Sequence, residues 1–221
     1  MKENSTKILS SAAAFIFSFG LTVMPVQANI TITPGNIPQT DEQILFNKPG
    51  LIQTGQTVTG ISNQTDFIVT FFSQTVLKTP AGGQARIEAN NGGTFADLKI
   101  DLQDPLAFFT SAIFNIDATV NGQVSITAFA QGGTSFAVGS PFTVGGAGQN
   151  FFTVTSSTGR LIDYIQITAF NGGLTGLRFD DTSQVRIGGL QVVPEPGFYG
   201  VMALGMSGLF WFAYRRKQLA S

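Results

Sequence analysis

The sequence predicts an all-β protein whose central part, residues 29–192, is a single β-sandwich of jelly-roll-like form. Short runs rich in Ile, Val, Phe and Thr alternate with paired glycines such as Gly132-Gly133, the turn and strand spacing typical of sandwiches and barrels. Apolar side chains occupy every second position of segments such as 97–102, which is the period of a strand. The central part shows no convincing apolar stripe of helical period and length.

The most clearly marked local element is a predicted β-hairpin. Its strands are 114–120 and 123–130, joined by Asn121-Gly122, a pair that favours a type I′ turn because both residues tolerate positive φ. Asp104-Pro105 predicts a short helical turn with Asp104 as its N-cap. Further strands are predicted at 57–61, 67–72, 86–89, 97–102, 150–155, 163–169, 177–179 and 184–192.

Two other patterns concern the core. The tetrapeptide Ile-Thr-Ala-Phe occurs at 126–129 and again at 167–170, which predicts two equivalent strands of the sandwich. Phenylalanine is abundant and forms three adjacent pairs, Phe71-Phe72, Phe108-Phe109 and Phe151-Phe152. Because neighbouring side chains of a strand point to opposite faces, one ring of each pair should point away from the core. Such a ring is either covered by loops or exposed to a partner.

Composition excludes several classes of function. The 221 residues include no Cys and no His, so the chain can form neither a zinc finger nor a Cys-His or Ser-His-Asp triad. With 12 Lys+Arg against 13 Asp+Glu, the net charge of −1 predicts no nucleic-acid partner. We therefore expect no transition-metal site. We assign no catalytic residues and no resident cofactor, with Ca²⁺ and a pair of carboxylates as the alternatives considered below.

The N-terminal segment 1–28 has the layout of a secretory signal peptide. Lys2 and Lys7 precede the apolar run 8–24, and Val26-Gln27-Ala28 places small residues where signal peptidase would cut after Ala28. The alternative is a retained membrane anchor.

The C-terminal segment 193–221 begins with Pro194-Glu195-Pro196. Residues 197–214 carry no charge and, as a helix, would extend roughly 27 Å, enough to cross a bilayer core. The basic cluster Arg215, Arg216 and Lys217 would stop transfer and keep the C-terminus cytoplasmic, with the body outside.

This order of Pro-Glu-Pro, short apolar helix and basic cluster resembles the PEP-CTERM sorting signal, also named the ice-binding protein C-terminal domain. The resemblance covers about the last 30 residues, and the chain departs from the pattern by continuing through Gln218–Ser221. It implies a bacterial protein that an exosortase, a membrane-embedded cysteine transpeptidase, recognises at Pro194, Glu195 and Pro196. Processing would release the body to the cell surface or the exopolysaccharide matrix.

Acidic residues supply the remaining candidate site, in three places: Asp97, Asp101 and Asp104; Asp180 with Asp181; and Asp163, which precedes a predicted strand. Three interpretations stay open. Asp180-Asp181 lies between Arg178 and Arg186 and would form local ion pairs. Oxygen ligands of this kind suit Ca²⁺, although no EF-hand spacing is present. A pair of carboxylates, among them Asp97, Asp101, Asp104 or Asp181, would also serve a glycoside hydrolase as acid and base.

The function expected from these patterns is non-catalytic: an exported surface or matrix protein with a structural or interaction role linked to exopolysaccharide. The alternative is a carbohydrate-binding module for a surface or matrix glycan. Tyr164 is the only Tyr of the body, which has no Trp, so an aromatic platform for sugar would consist largely of Phe.

Overall fold

The computed structural model describes residues 29–79, 86–146, 149–157, 159–170, 179–194 and 196–219. These residues form strands and one C-terminal α-helix, with a single 3₁₀ turn at Asn90–Gly92. The elements are β1 Ile30–Pro34, β2 Glu42–Leu45, β3 Thr54–Ser62, β4 Ile68–Lys78, β5 Arg86–Ala89, β6 Asp97–Leu102, β7 Ala107–Phe108, β8 Ser111–Ala118, β9 Gly122–Ala130, β10 Ser135–Ala137, β11 Phe142–Val144, β12 Asn150–Ser156, β13 Ile162–Phe170, β14 Phe179–Gly188, β15 Gln191–Val192 and α1 Pro196–Leu219. The prediction of an all-β body is confirmed.

The strands form a sandwich-like sheet with two faces. One face has the order β1-β12-β8-β14, and the other has the order β3-β4-β6-β13-β9, with β10 and β11 both paired to β9. The short strands β2 and β5 connect the faces, because β2 pairs with β14 and β3 while β5 pairs with β14 and β4. β7 and β15 form a separate two-stranded sheet. Every pairing among these strands is antiparallel.

The core lies between the two faces and is rich in aromatic rings. Its largest fully buried side chains include Phe71, Phe95, Phe109, Phe114 and Phe152. Burying a ring of this size contributes roughly 1.5–3 kcal/mol to stability. The alternation that predicted strands produces this core, since inward residues of β6 and β9 are buried while their sequence neighbours are partly exposed.

Two of the three phenylalanine pairs place one ring on each side of a strand. Phe71 is buried and Phe72 is exposed, and Phe152 is buried while Phe151 is half-buried. The prediction is wrong for Phe108-Phe109, where both rings are buried. The reason is that this segment is covered from two directions: β7 pairs with β15, and the Phe109 backbone exchanges both hydrogen bonds with Ile162.

The predicted hairpin at Asn121-Gly122 is also wrong. Both strands exist, but β8 pairs with β12 and β14, whereas β9 pairs with β10, β11 and β13. Both edges of β8 are therefore occupied, and β9 can bond only within the opposite face. Neither Asn121 nor Gly122 is among the residues with positive φ, so the type I′ geometry is not formed.

The other predicted strands coincide with β3, β4, β5, β6, β12 and β13. The predicted strand 184–192 is two strands, because Gly189, at φ 64°, turns the chain between β14 and β15. Of the predicted strand 177–179, only residue 179 lies within the described range. Asp104 closes a single turn, accepting the Leu106 N–H at its Oδ1 (2.9 Å) and the Ala107 N–H at its carbonyl (3.0 Å).

The predicted processing signals at the two ends are only partly covered by the structure. Residues 1–28, including Ala28, and Glu195 lie outside the described residues. Helix α1 contains the predicted range 197–214, and Val201, Leu204 and Leu209 on it are strongly exposed. The side chains of Arg215, Arg216 and Lys217 are outside the described set. Within the described part of the chain, no helix is both long enough and apolar enough to cross a membrane.

Candidate functional groove on the outer sheet face

Outward-facing side chains of β4, β6 and β13 form a shallow open groove of about 530 Å³. The aromatic, charged and polar side chains that line it are Phe72, Gln74, Asp97, Lys99, Tyr164, Gln166 and Thr168. The groove therefore combines aromatic rings with side chains that can donate and accept hydrogen bonds. That is the composition expected of a surface that binds a small polar molecule or a chain of such units.

Strand register brings these side chains together from distant parts of the sequence. Lys99 of β6 lies opposite Phe72 of β4 on one side and opposite Gln166 of β13 on the other. Asp97 lies opposite Thr168 in the same way. Because neighbouring residues of a strand alternate between the two sides of the sheet, burying Leu98, Ile100, Ile165 and Ile167 in the core turns the groove residues outward.

Tyr164 is held edge-on within this face. Its ring stacks on Phe129 with centroids 4.2 Å apart and an interplanar angle of 16°. The Lys99 Nζ lies 4.1 Å from the centroid of the same ring. Phe129 belongs to β9 and Lys99 to β6, which flank β13 on opposite sides, so both faces of the Tyr164 ring are covered. What remains for a ligand is the ring edge with its hydroxyl.

Phe72 provides the open ring face. Its side chain is 41% exposed, although the preceding residue, Phe71, is completely buried. Phe72 lies across from Lys99, next to the polar residues of β6. A ligand that stacks on an aromatic ring in this groove must therefore use Phe72 rather than Tyr164.

The charges of the groove are arranged along β6. The Asp97 Oδ2 accepts the backbone N–H of Gln74 (3.0 Å), and the Lys99 Nζ contacts the Asp101 Oδ2 at 2.7 Å. Asp163 lies at a bulge of β13, beside Tyr164. Burial and the negative charge of Asp101 raise the pKa of Asp163, and the charge of Lys99 opposes that rise.

The structure does not gather the acidic residues that the sequence singled out. Asp97 and Asp101 lie on one strand with Lys99 between them, and Asp104 is used by its own turn. Among the described residues, no group of three or more His, Cys, Asp or Glu could hold a metal ion. The side chains of Asp180 and Asp181 are outside the described set, so a calcium site remains a prediction.

The same positions bear on the hydrolase interpretation. Asp97 and Asp101 are four residues apart on one strand, which separates their Cα atoms by about 13 Å at 3.3 Å per residue. An acid and base that flank a glycosidic bond lie about 5–9.5 Å apart. The Cα separation of Asp97 and Asp101 therefore exceeds the carboxyl separation of such a pair, and Lys99 lies between them on the strand.

Sequence reasoning found Asp97, Asp101 and Tyr164 and predicted that one ring of Phe71-Phe72 points outward. It missed Lys99, Phe129 and Gln166, and it did not join these residues into one surface. Alternation within each strand could have placed all of them on the outward side. Alternation does not say which strands are neighbours, and the groove exists only because β6 lies between β4 and β13.

Comparison with known proteins gives distant structural likenesses only. No model of a protein family matches the chain, and no curated protein matches it. Among solved structures, a family 29 carbohydrate-binding module from Piromyces equi is similar over 73% of this chain and 91% of its own, with 10% identity and a TM-score of 0.31. Another family 29 module is similar over 75% and 88%, with 14% identity and a TM-score of 0.21. These TM-scores are too low to establish a shared fold or ligand.

Proposed function

We propose that the body of this protein is a non-catalytic carbohydrate-binding module whose ligand lies in the groove of β4, β6 and β13. The observation that carries the proposal is the position of one exposed aromatic ring, Phe72, among hydrogen-bonding side chains on an open sheet face. A polysaccharide is long and has both apolar C–H faces and many hydroxyl groups. An open groove with a ring and polar side chains suits both features.

Each groove residue has a chemical role in this proposal. The Phe72 ring packs against the C–H face of a sugar unit. Gln74 and Gln166 donate and accept hydrogen bonds with sugar hydroxyls, and Asp97 accepts them. Tyr164 contributes its hydroxyl, since Phe129 and Lys99 cover its two ring faces.

We further propose that this module is exported and sorted by an exosortase at Pro194, Glu195 and Pro196. The placement of the folded body supports it: β1 begins at Ile30, just after the proposed signal-peptidase site, and β15 ends at Val192, just before the motif. The Val193 N–H still donates to the Leu106 carbonyl (2.8 Å), and Pro194, which has no N–H, follows. The surface or matrix role linked to exopolysaccharide belongs to this same proposal.

The test of carbohydrate binding is the substitution Phe72→Ala in the full-length protein. Because Phe72 is exposed, the variant should remain folded. Loss of a stacked ring should weaken binding by about tenfold or more, as measured by affinity electrophoresis in gels that contain soluble polysaccharide.

Ile68→Ala provides the matched control, since Ile68 is 36% exposed on the same strand but does not line the groove. This variant should migrate like the unchanged protein. Equal retardation of Phe72→Ala and the unchanged protein would show that the groove is not the binding site.

A further inference from the structure

We infer that the groove selects uncharged polysaccharides and rejects polysaccharides that carry carboxylate or sulfate groups. This inference rests on the proposed function and names the class of ligand. Its basis is the distribution of charge on the outer sheet face.

Acidic groups outnumber basic groups on this face. Asp97 and Asp101 project outward from β6, and Asp163 lies beside Tyr164 on β13. Lys99 is the one basic residue within the described lengths of β3, β6, β9 and β13. On β4, Lys78 lies six residues from Phe72, about 20 Å along the strand. An anionic ligand over Phe72 would therefore share the groove with the Asp97 carboxylate and the Lys99 ammonium group, and two more carboxylates, Asp101 and Asp163, lie further along the same face.

That ammonium group is already engaged. The Lys99 Nζ is 2.7 Å from the Asp101 Oδ2 and packs over the Tyr164 ring. The distant Lys78 is likewise paired, with its Nζ 3.0 Å from the Glu88 Oε1. A carboxylate on the ligand would have to share Lys99 with Asp101, so one positive charge would serve two carboxylates that repel each other.

The same carboxylates favour uncharged sugars. Sugar hydroxyls are donors, and a hydrogen bond to an ionised carboxylate is stronger than one to a neutral acceptor. The Asp163 carboxylate already faces the negative charge of Asp101. Burial and that charge together raise the pKa of Asp163. Hydroxyl donors relieve this repulsion, whereas further negative charge increases it.

The test is a panel of polysaccharides offered to the full-length protein. Hydroxyethylcellulose and galactomannan represent uncharged chains, and polygalacturonate and alginate represent acidic ones. At low ionic strength we expect acidic chains to bind at least about tenfold more weakly, and we expect salt to narrow the difference because it screens the repulsion.

The outcomes separate the two proposals. Acidic chains that bind as tightly as uncharged chains at low ionic strength would overturn the inference while leaving carbohydrate binding in place. If neither uncharged nor acidic chains bind, the proposed function itself fails.

A variant that lacks one negative charge of this face tests whether the carboxylates cause the selectivity. Asp163→Asn should bring the affinity for polygalacturonate closer to that for uncharged chains. Asp104→Asn removes a charge from the exposed turn after β6 and should leave the ratio unchanged, since an Asn can accept the same turn hydrogen bond. An unchanged ratio in Asp163→Asn, or equal changes in both variants, would contradict the role assigned to the carboxylates of this sheet face.

Discussion

Glu42 shows what a single carboxylate does for this fold. Its Oε2 accepts the backbone N–H groups of Gln64 (3.0 Å) and Thr65 (2.8 Å), and its Oε1 accepts the Thr65 hydroxyl (2.9 Å). Burial alone would raise the pKa of Glu42, but these hydrogen bonds outweigh burial and lower the pKa below its ordinary value. One side chain of β2 thus fixes the turn between β3 and β4, the strand that carries Phe72.

This network predicts a pH-dependent loss of stability in Glu42→Gln. The lowered pKa means that Glu42 stabilises the fold above the unfolded-state pKa of about 4.5 and loses this contribution as the pH falls through the folded-state value. At pH 7 we expect the variant to have a free energy of unfolding about 1 kcal/mol lower than the unchanged protein. The expected loss is no larger because the hydrogen bonds are solvent-exposed.

Urea denaturation of both proteins at pH 7 and at pH 3 measures that difference. The difference should be smaller at pH 3, which is below the ordinary pKa of 4.5, because the contribution of the ionised Glu42 is lost as the pH falls from that value towards the folded-state pKa. A difference of the same size at both pH values would mean that the charge of Glu42 is not the cause.

At the scale of elements, the connection between β8 and β9 shows how local and tertiary preferences compete. Asn-Gly favours a tight hairpin, yet here the chain crosses from one sheet face to the other. Asn121 is used differently: its Oδ1 accepts the Gly146 N–H at 2.8 Å. Gly146 in turn lies directly against the Val120 backbone, where a Cβ would be 2.5 Å from the carbonyl carbon.

The close approach predicts that Gly146→Ala destabilises the protein. The methyl group would meet backbone atoms of Val120, which cannot move aside as a side chain can. We expect a loss of about 1–3 kcal/mol in the free energy of unfolding, measured by urea denaturation.

The neighbouring glycine supplies the control for this substitution. A Cβ on Gly145 would make ordinary contacts, the nearest at 3.8 Å to the Asn150 Oδ1. Gly145→Ala should therefore cost much less than Gly146→Ala. Equal losses would indicate that the contact with Val120 is not responsible.

For the whole molecule, the two ends of the folded body lie close together. The Asn29 N–H donates to the Ser157 Oγ (2.6 Å), and the Ser157 N–H donates to the Asn29 carbonyl (2.8 Å). Ser157 and Gln191 of β15 line the same cavity. The two proposed processing sites therefore adjoin one region of the body, and cleavage at both would leave β1 to β15 intact.

The export proposal predicts the mass of the mature protein. Expressed in a bacterium that has an exosortase, the protein should be recovered outside the cytoplasm with residues 1–28 removed and its C-terminus trimmed near Pro194. Mass spectrometry should show a species lighter than the 23.4 kDa chain. A variant with Pro194, Glu195 and Pro196 all changed to Ala should lose residues 1–28 but keep its C-terminal segment. The intact 23.4 kDa chain, recovered from the cell interior, would contradict the proposal.

The sequence by itself determined most of the longer strands, β3 to β6, β8, β9, β12 and β13, and the buried side of those that alternate clearly; β1, β2, β7, β10 and β11 were not predicted. In an alternating strand the apolar positions are the buried ones. The alternation therefore predicts both that segments 97–102 and 163–169 are strands and which of their residues face the core. The repeated Ile-Thr-Ala-Phe was likewise predicted to mark two equivalent strands.

Only the tertiary structure decided which strands are neighbours. The two repeats are adjacent antiparallel strands with Ile126 opposite Ile167, and β8 and β9 do not pair at all. A strand has two hydrogen-bonding edges whose partners are set by the packing of the whole core, and a local pattern does not encode that choice. The groove of Phe72, Lys99 and Tyr164 depends on the order β4-β6-β13 and therefore belongs to the fold rather than to any one segment.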